Sequence, residues 1–241
     1  MTTVYYFGTC MVDLFYPTAG MAGIRLLERQ WFRVIYPQAQ SCCGQPPFNS
    51  GFRDEAAAVA AQQLALFSDH HDLVVPSGSC AGMIKHHWPE LLKGTEHEAA
   101  ALELAERTYE LGEYLIDRLD TVLEDKGQPT TVVVHTSCSA RREMGVAEQG
   151  KALLGQLANV TVEVPAYETE CCGFGGTFSV KQPEISAAMA EDKTTHLAAA
   201  GADSFVCGDS GYLMNLSGTL EKRGIQLDSS HLYDFIWERV Q

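Results

Sequence analysis

Short apolar runs alternate with longer alanine- and leucine-rich stretches along this chain, and the whole alternation occurs twice. Thr3-Val4-Tyr5-Tyr6-Phe7 and Thr131-Val132-Val133-Val134-His135 are β-branched or aromatic runs of strand length. A second pair, Trp31 to Tyr36 and Val160 to Val164, closes on Pro37 and Pro165. Asp72-Leu73-Val74-Val75 and Ser204-Phe205-Val206 form the third. Between them, Arg53 to Phe67 and Pro183 to Ala200 carry helical spacing with few internal breakers. A longer helical stretch, from about Glu98 to Leu123, has no equally long counterpart in the second half and reads as a bridge packed across the halves.

Strands alternating with helices predict an α/β protein. The expected architecture is two pseudo-twofold-related lobes, each a small, mostly parallel sheet flanked by helices. The turn-forming run Asp125-Lys126-Gly127-Gln128-Pro129 is the expected junction, dividing a first lobe, 1–127, from a second, 128–241. In such sheets the ligand-bearing loops gather at the carboxyl ends of the strands.

Composition narrows the function classes. With 17 basic and 31 acidic side chains in 241 residues, the net charge is −14, which argues against nucleic-acid or anionic-membrane partners. No stretch approaches the ~18 uninterrupted apolar residues of a membrane span, and the first residues lack a secretory pattern. A cytoplasmic location is therefore expected. A chain of this length buries roughly 70 to 75% of its unfolded surface, so its eight cysteines are not needed as disulfide staples. In a reducing compartment they read first as metal ligands or redox groups.

The cysteines fall at Cys10, Cys42, Cys43 and Cys80, then at Cys138, Cys171, Cys172 and Cys207, with offsets of 128, 129, 129 and 127. Each copy has an adjacent pair followed by glycine, at Gly44 and Gly173. All eight are candidate metal and cofactor ligands. The long spacings are unlike zinc knuckles, and adjacent cysteines are better suited to different irons of one cluster than to one tetrahedral ion. Zinc remains the alternative, as does thiol–disulfide chemistry at the vicinal pairs.

Other polar groups carry weaker signals. Gly173-Phe174-Gly175-Gly176 lacks the sixth-place glycine of a dinucleotide fingerprint, where Phe178 stands. Those glycines are expected to bring backbone N–H groups close to sulfur. His135, three residues before Cys138, is a candidate proton carrier or hydrogen-bond donor to a cluster sulfide, set against a plain core histidine. Arg141 and Arg142 could offset cluster charge or hold a carboxylate, with a solvated helix start as the simpler expectation. The pairs His70-His71 and His86-His87 are expected at the surface.

The patterns Cys-x31-Cys-Cys-Gly-x35-Cys and Cys-x32-Cys-Cys-Gly-x33-Cys resemble the duplicated cysteine-rich CCG domain family, along the whole chain. Members include the cysteine-rich component of heterodisulfide reductase and the iron–sulfur subunit of glycolate oxidase. Pro76 to Met83, Glu170 to Lys181 and Leu213-Met214-Asn215 are most similar to its lactate-utilization branch. The resemblance implies an iron–sulfur cluster, of the [4Fe–4S] kind or another, and electron transfer in a system that oxidises L-lactate to pyruvate. It also implies two partner subunits, one itself an iron–sulfur protein, with lactate or an electron carrier as further partners. A zinc-binding assembly subunit and a thiol–disulfide protein are the alternatives. The fullest form of the motif ends in Cys-x-x-Cys. Here Ser77 and Met83 flank Cys80 at that spacing, Ser210 follows Cys207, and Tyr212 stands where a lactate-type member is expected to carry cysteine.

Overall fold

The structure, a computed structural model, describes residues 2–241. It contains two four-stranded sheets of the same topology, in which every pairing is parallel. Strands β1 (Thr2–Tyr6), β2 (Phe32–Ile35), β3 (Asp72–Val75) and β4 (Thr108–Glu110) form the first, in the order β2-β1-β3-β4. Strands β5 (Thr130–His135), β6 (Val160–Glu163), β7 (Ser204–Cys207) and β8 (Asp228–His231) form the second, in the order β6-β5-β7-β8. The expected α/β class and the two-lobed arrangement are both present.

Alternation along each strand sorts its side chains between two layers. Val4, Tyr6 and Val74 on one sheet, and Val132, Val134 and Val206 on the other, face a common core. Leu26, Leu27, Leu153, Leu154, Leu232, Tyr233 and Ile236 fill that core. It is built around the helices Pro17–Arg29, Ala147–Gly155 and Leu232–Val240, the first and last of which pack against each other. The outer faces are covered separately. Tyr5, Phe7, Leu73 and Val75 pack with Leu64, Phe67 and Trp88, while Val133, Phe205 and Cys207 pack with Leu197, Leu213 and Leu216.

The helices expected over Arg53 to Phe67 and Pro183 to Ala200 appear as Arg53–Leu64 and Pro183–Ala199. The long helix expected from Glu98 to Leu123 does not form. Glu98–Glu106 is helical, the chain then extends as β4, and a short helical segment follows from Leu111. The break has local causes. The Arg107 guanidinium donates to the carbonyls of Phe67 and His71, tying the chain to the sheet edge. Glu110 then starts a new helix with a reciprocal capping box to Glu113. Nor is the segment unique to the first half, because β8 and Leu232–Val240 repeat it.

The order of strands creates a crevice in each sheet. The helix after β1 lies on the shared-core side, whereas the helices after β3 lie on the outer side. Connections leaving adjacent strands toward opposite faces open a gap at the strands' carboxyl ends. The second sheet repeats this arrangement between β5 and β7.

Candidate functional site

In the first lobe all four cysteines converge on this gap. Cys10 follows β1 and opens the helix Cys10–Phe15, which Thr9 caps by accepting from the Val12 amide. Cys80 follows β3 on the helical turn Gly78–Gly82, capped by Ser77. Cys42 and Cys43 arrive from the loop after β2, where Gly44 has φ 86°, a conformation that costs glycine little. That turn aims the Gly44 N–H at Cys42 Sγ, 3.4 Å away. Trp88 Nε1 donates to the Cys43 carbonyl at 2.8 Å and fixes the loop from beneath.

The sulfurs touch one another. Cys43 Sγ lies 3.4 Å from Cys80 Sγ, and the Cys10 and Cys43 thiols are electrostatic neighbours of Cys42. Those two thiols hold the Cys42 pKa below its usual range, while the Cys42 sulfur pushes those of Cys10 and Cys43 up. All four cysteines line a cavity of about 230 Å³ that is also lined by Phe174, Thr177 and Tyr212 of the second lobe. Ser50 and Thr177 close the boundary with a 2.9 Å hydrogen bond between their hydroxyls.

The second-lobe set is built by the same devices with a different result. Cys138 follows β5, and the turn Cys171-Cys172-Gly173 again has glycine at positive φ, 79°, with its N–H 3.5 Å from Cys171 Sγ. Asn215 holds the Cys172 carbonyl at 2.9 Å. The neighbouring Cys171 thiol pushes the Cys138 pKa up and holds that of Cys172 down. Cys207, however, is the last residue of β7 rather than part of the following helix. The pairing registers explain the difference. Val4 opposes Asp72 in the first sheet and Val132 opposes Ser204 in the second, so this part of the repeat is offset by 204 − 72 = 132. The counterpart of Cys80 is therefore Tyr212, and Cys207 corresponds to Val75. The 127-residue spacing of Cys80 and Cys207 is not a structural equivalence.

The lobes meet through a buried polar knot that sequence reasoning missed. Asp209, 2% exposed, accepts from Ser77 Oγ at 2.5 Å, from Ser79 N at 3.1 Å, from Ser79 Oγ at 2.9 Å, and from Ser137 Oγ. Nearby, Tyr233 donates to Glu110, whose pKa burial raises to about 7. The helix-capping roles of Ser77 and Glu110 were the available signals; their partners lie more than 120 residues away.

Other expected groups fall elsewhere. His135 is buried with both ring nitrogens unpartnered, and desolvation lowers its pKa to about 3. Arg141 is half-buried and pairs with Glu168 at 2.6 Å, so it is neither a solvated helix start nor a free anion clamp. His70 pairs with Glu103 at the surface, and His87 packs on Phe48.

Two segments of the chain, residues 4–85 and 132–217, match the family model described as the cysteine-rich domain CCG. The chain belongs to this cysteine-rich family. Within it, the chain is 39% identical to Lactate utilization protein A of Shouchella clausii, covering 95% of this chain and 96% of that protein. It is 35% identical to Lactate utilization protein A 2 of Bacillus cereus strain Q1, over 97% of each. A hypothetical protein from Helicobacter pylori has the same fold at 11% identity, with a TM-score of 0.68, matching 99% of this chain and 49% of that one.

A cysteine-rich domain implies a metal or cluster, and the donor sets can be tested for fit. Among the described residues, no three His, Cys, Asp or Glu side chains converge on one point that a single ion would occupy. The four first-lobe sulfurs line one cavity, and these thiols are the donors that would hold a metal or cluster there. No helix among the described residues is long and apolar enough to cross a membrane.

Proposed function

We propose that this chain is the iron–sulfur electron-transfer subunit of a cytoplasmic system that oxidises L-lactate to pyruvate. The observation that carries the reading is the convergence of Cys10, Cys42, Cys43 and Cys80 beside a cavity of about 230 Å³. The names of its relatives support the lactate context. These four residues would hold the cluster, which supplies one-electron chemistry when bound. The Gly44 N–H and the Trp88-anchored loop position sulfur and backbone around it.

The cavity lining has no lysine, arginine or histidine, so a lactate carboxylate meets no counter-charge there. This supports a relay role, with lactate oxidised on one of two further subunits, one of them also an iron–sulfur protein. Iron, acid-labile sulfide and zinc content, with an EPR spectrum, test the reading on protein purified without oxygen. About four irons and four sulfides per occupied site are expected. Cys43→Ala should lose both the metal and lactate-dependent growth. Normal growth of the Cys43→Ala strain would sink the assignment. Zinc without sulfide would favour an assembly subunit, and metal-free protein a thiol–disulfide one.

A further inference from the structure

We infer that the repeats have diverged in chemistry: only the first lobe holds a metal centre, and the second lobe's site is closed by its own aromatic side chains. The inference rests on the proposed iron–sulfur reading and adds which thiols serve it. Its basis is a comparison of equivalent positions.

In the first lobe, Gln45 follows Cys42-Cys43-Gly44 and donates from Nε2 to the Ser79 carbonyl at 3.2 Å, leaving Cys80 Sγ at the cavity wall. In the second lobe, those three positions are Phe174, Gly211 and Tyr212. The Phe174 ring lies where a side chain at Gly211 would start, since a Cβ there would be 2.5 Å from it. Its centroid is 5.2 Å from that of Tyr212. The Tyr212 hydroxyl stands 3.6 Å from Cys138 Sγ and 3.3 Å from Ser139 Oγ, taking the place of the fourth sulfur.

Cys207 does not restore the missing ligand. It is 1% exposed, follows the strand register of Val75, and its sulfur is engaged by the Asp209 backbone N and O at 3.5 Å. Phe174 and Tyr212 line the first-lobe cavity, whereas Cys138, Cys171 and Cys172 do not. Two rings thus fill in the second lobe what is open space in the first.

Metal and sulfide analysis on the full chain, purified without oxygen, tests this with two sets of variants. The wild type should carry about four irons per chain, the content of one cubane. Cys43→Ser and Cys80→Ser should lose that iron. Cys138→Ser, Cys171→Ser and Cys207→Val should keep it, with an unchanged EPR signal. The double variant Tyr212→Cys with Phe174→Gln, which gives the second lobe first-lobe chemistry, should raise iron toward twice the wild-type content. About eight irons in the wild type, or loss of half the iron in Cys171→Ser, would overturn the inference. Zinc in place of iron, lost in Cys43→Ser and retained in Cys171→Ser, would remove the iron–sulfur reading and leave the one-lobe assignment standing. Absence of any metal from the wild type would overturn both.

Discussion

Ser77 donates to Asp209 across the lobe boundary at 2.5 Å, and the two residues are the same position of the repeat. Each is the N-cap of the helix that follows the third strand of its lobe. Identical aspartates there would place two carboxylates face to face, and identical serines would leave the Ser79 and Ser137 donors without their shared carboxylate. The serine–aspartate difference converts that contact into a donor and an acceptor.

Removing the acceptor is accordingly costly. Asp209→Ala leaves the Ser77, Ser79 and Ser137 donors without their shared partner inside the boundary. Buried donors left unpaired predict a loss of about 2–4 kcal/mol. The urea midpoint at constant m-value measures it. A loss below about 0.5 kcal/mol, the usual range for a surface substitution, would show that the knot contributes little.

Glu110 makes the boundary sensitive to pH. Burial raises its folded pKa to about 7 from 4.5, against the bonds from Tyr233, Glu113 and Gly112, which lower it. The folded chain therefore holds this proton more tightly than the unfolded one. The stability it contributes is fully present below pH 4.5 and declines as pH rises through 7. The decline amounts to about 3 kcal/mol at most. Glu110→Gln should flatten the stability profile across this window in urea titrations. An unchanged slope would remove Glu110 as its source.

The opposite sign is expected at Asp125. Its carboxylate faces Arg239 with two 2.9 Å contacts, and that pairing holds its pKa down to about 2 from 3.8. The pair stabilises the fold above pH 3.8, and the contribution is lost as pH falls through 2. Arg239→Ala strands a buried carboxylate and should cost about 3 kcal/mol at neutral pH. Comparing acid denaturation of this variant with wild type checks both points. Parallel curves would refute the assignment.

Two glycines at positive φ separate conformational strain from collision. A Cβ at Gly173, φ 79°, would run into the Ser186 carbonyl, whereas one at Gly145, φ 70°, meets open space. Gly145→Ala should cost about 1 kcal/mol for backbone strain alone. Gly173→Ala adds a clash with main chain and should lower stability by about 1–3 kcal/mol more. Thermal melts compare them, and equal shifts would contradict the packing seen at Gly173.

Much of this architecture was legible in the chain. The central strands β1, β3, β5 and β7 read as apolar runs because most of their residues are buried, while β2 and β6, half-exposed at one edge of each sheet, were legible through their β-branched and aromatic residues. The edge strands β4 and β8 escaped, since Thr108-Tyr109-Glu110 and Asp228 to His231 are short and partly polar. Glu110 and Glu113 carried the helix-start signal that would have divided Glu98 to Leu123. At the site, Cys10, Cys42, Cys43 and Cys80 were legible through spacing. The resemblance already placed Tyr212 where a cysteine is expected, but the offset grows from 128 to 132 within the repeat, and strand register is what makes Tyr212 the counterpart of Cys80.

The cavity beside the first-lobe thiols is lined both by sulfur and by second-lobe rings. A repeat isolated by recombination would carry these four thiols without the rings that enclose them, or the rings without those thiols. The copies have become a container and its lid, inherited as one indivisible unit although their sequences still record a common origin.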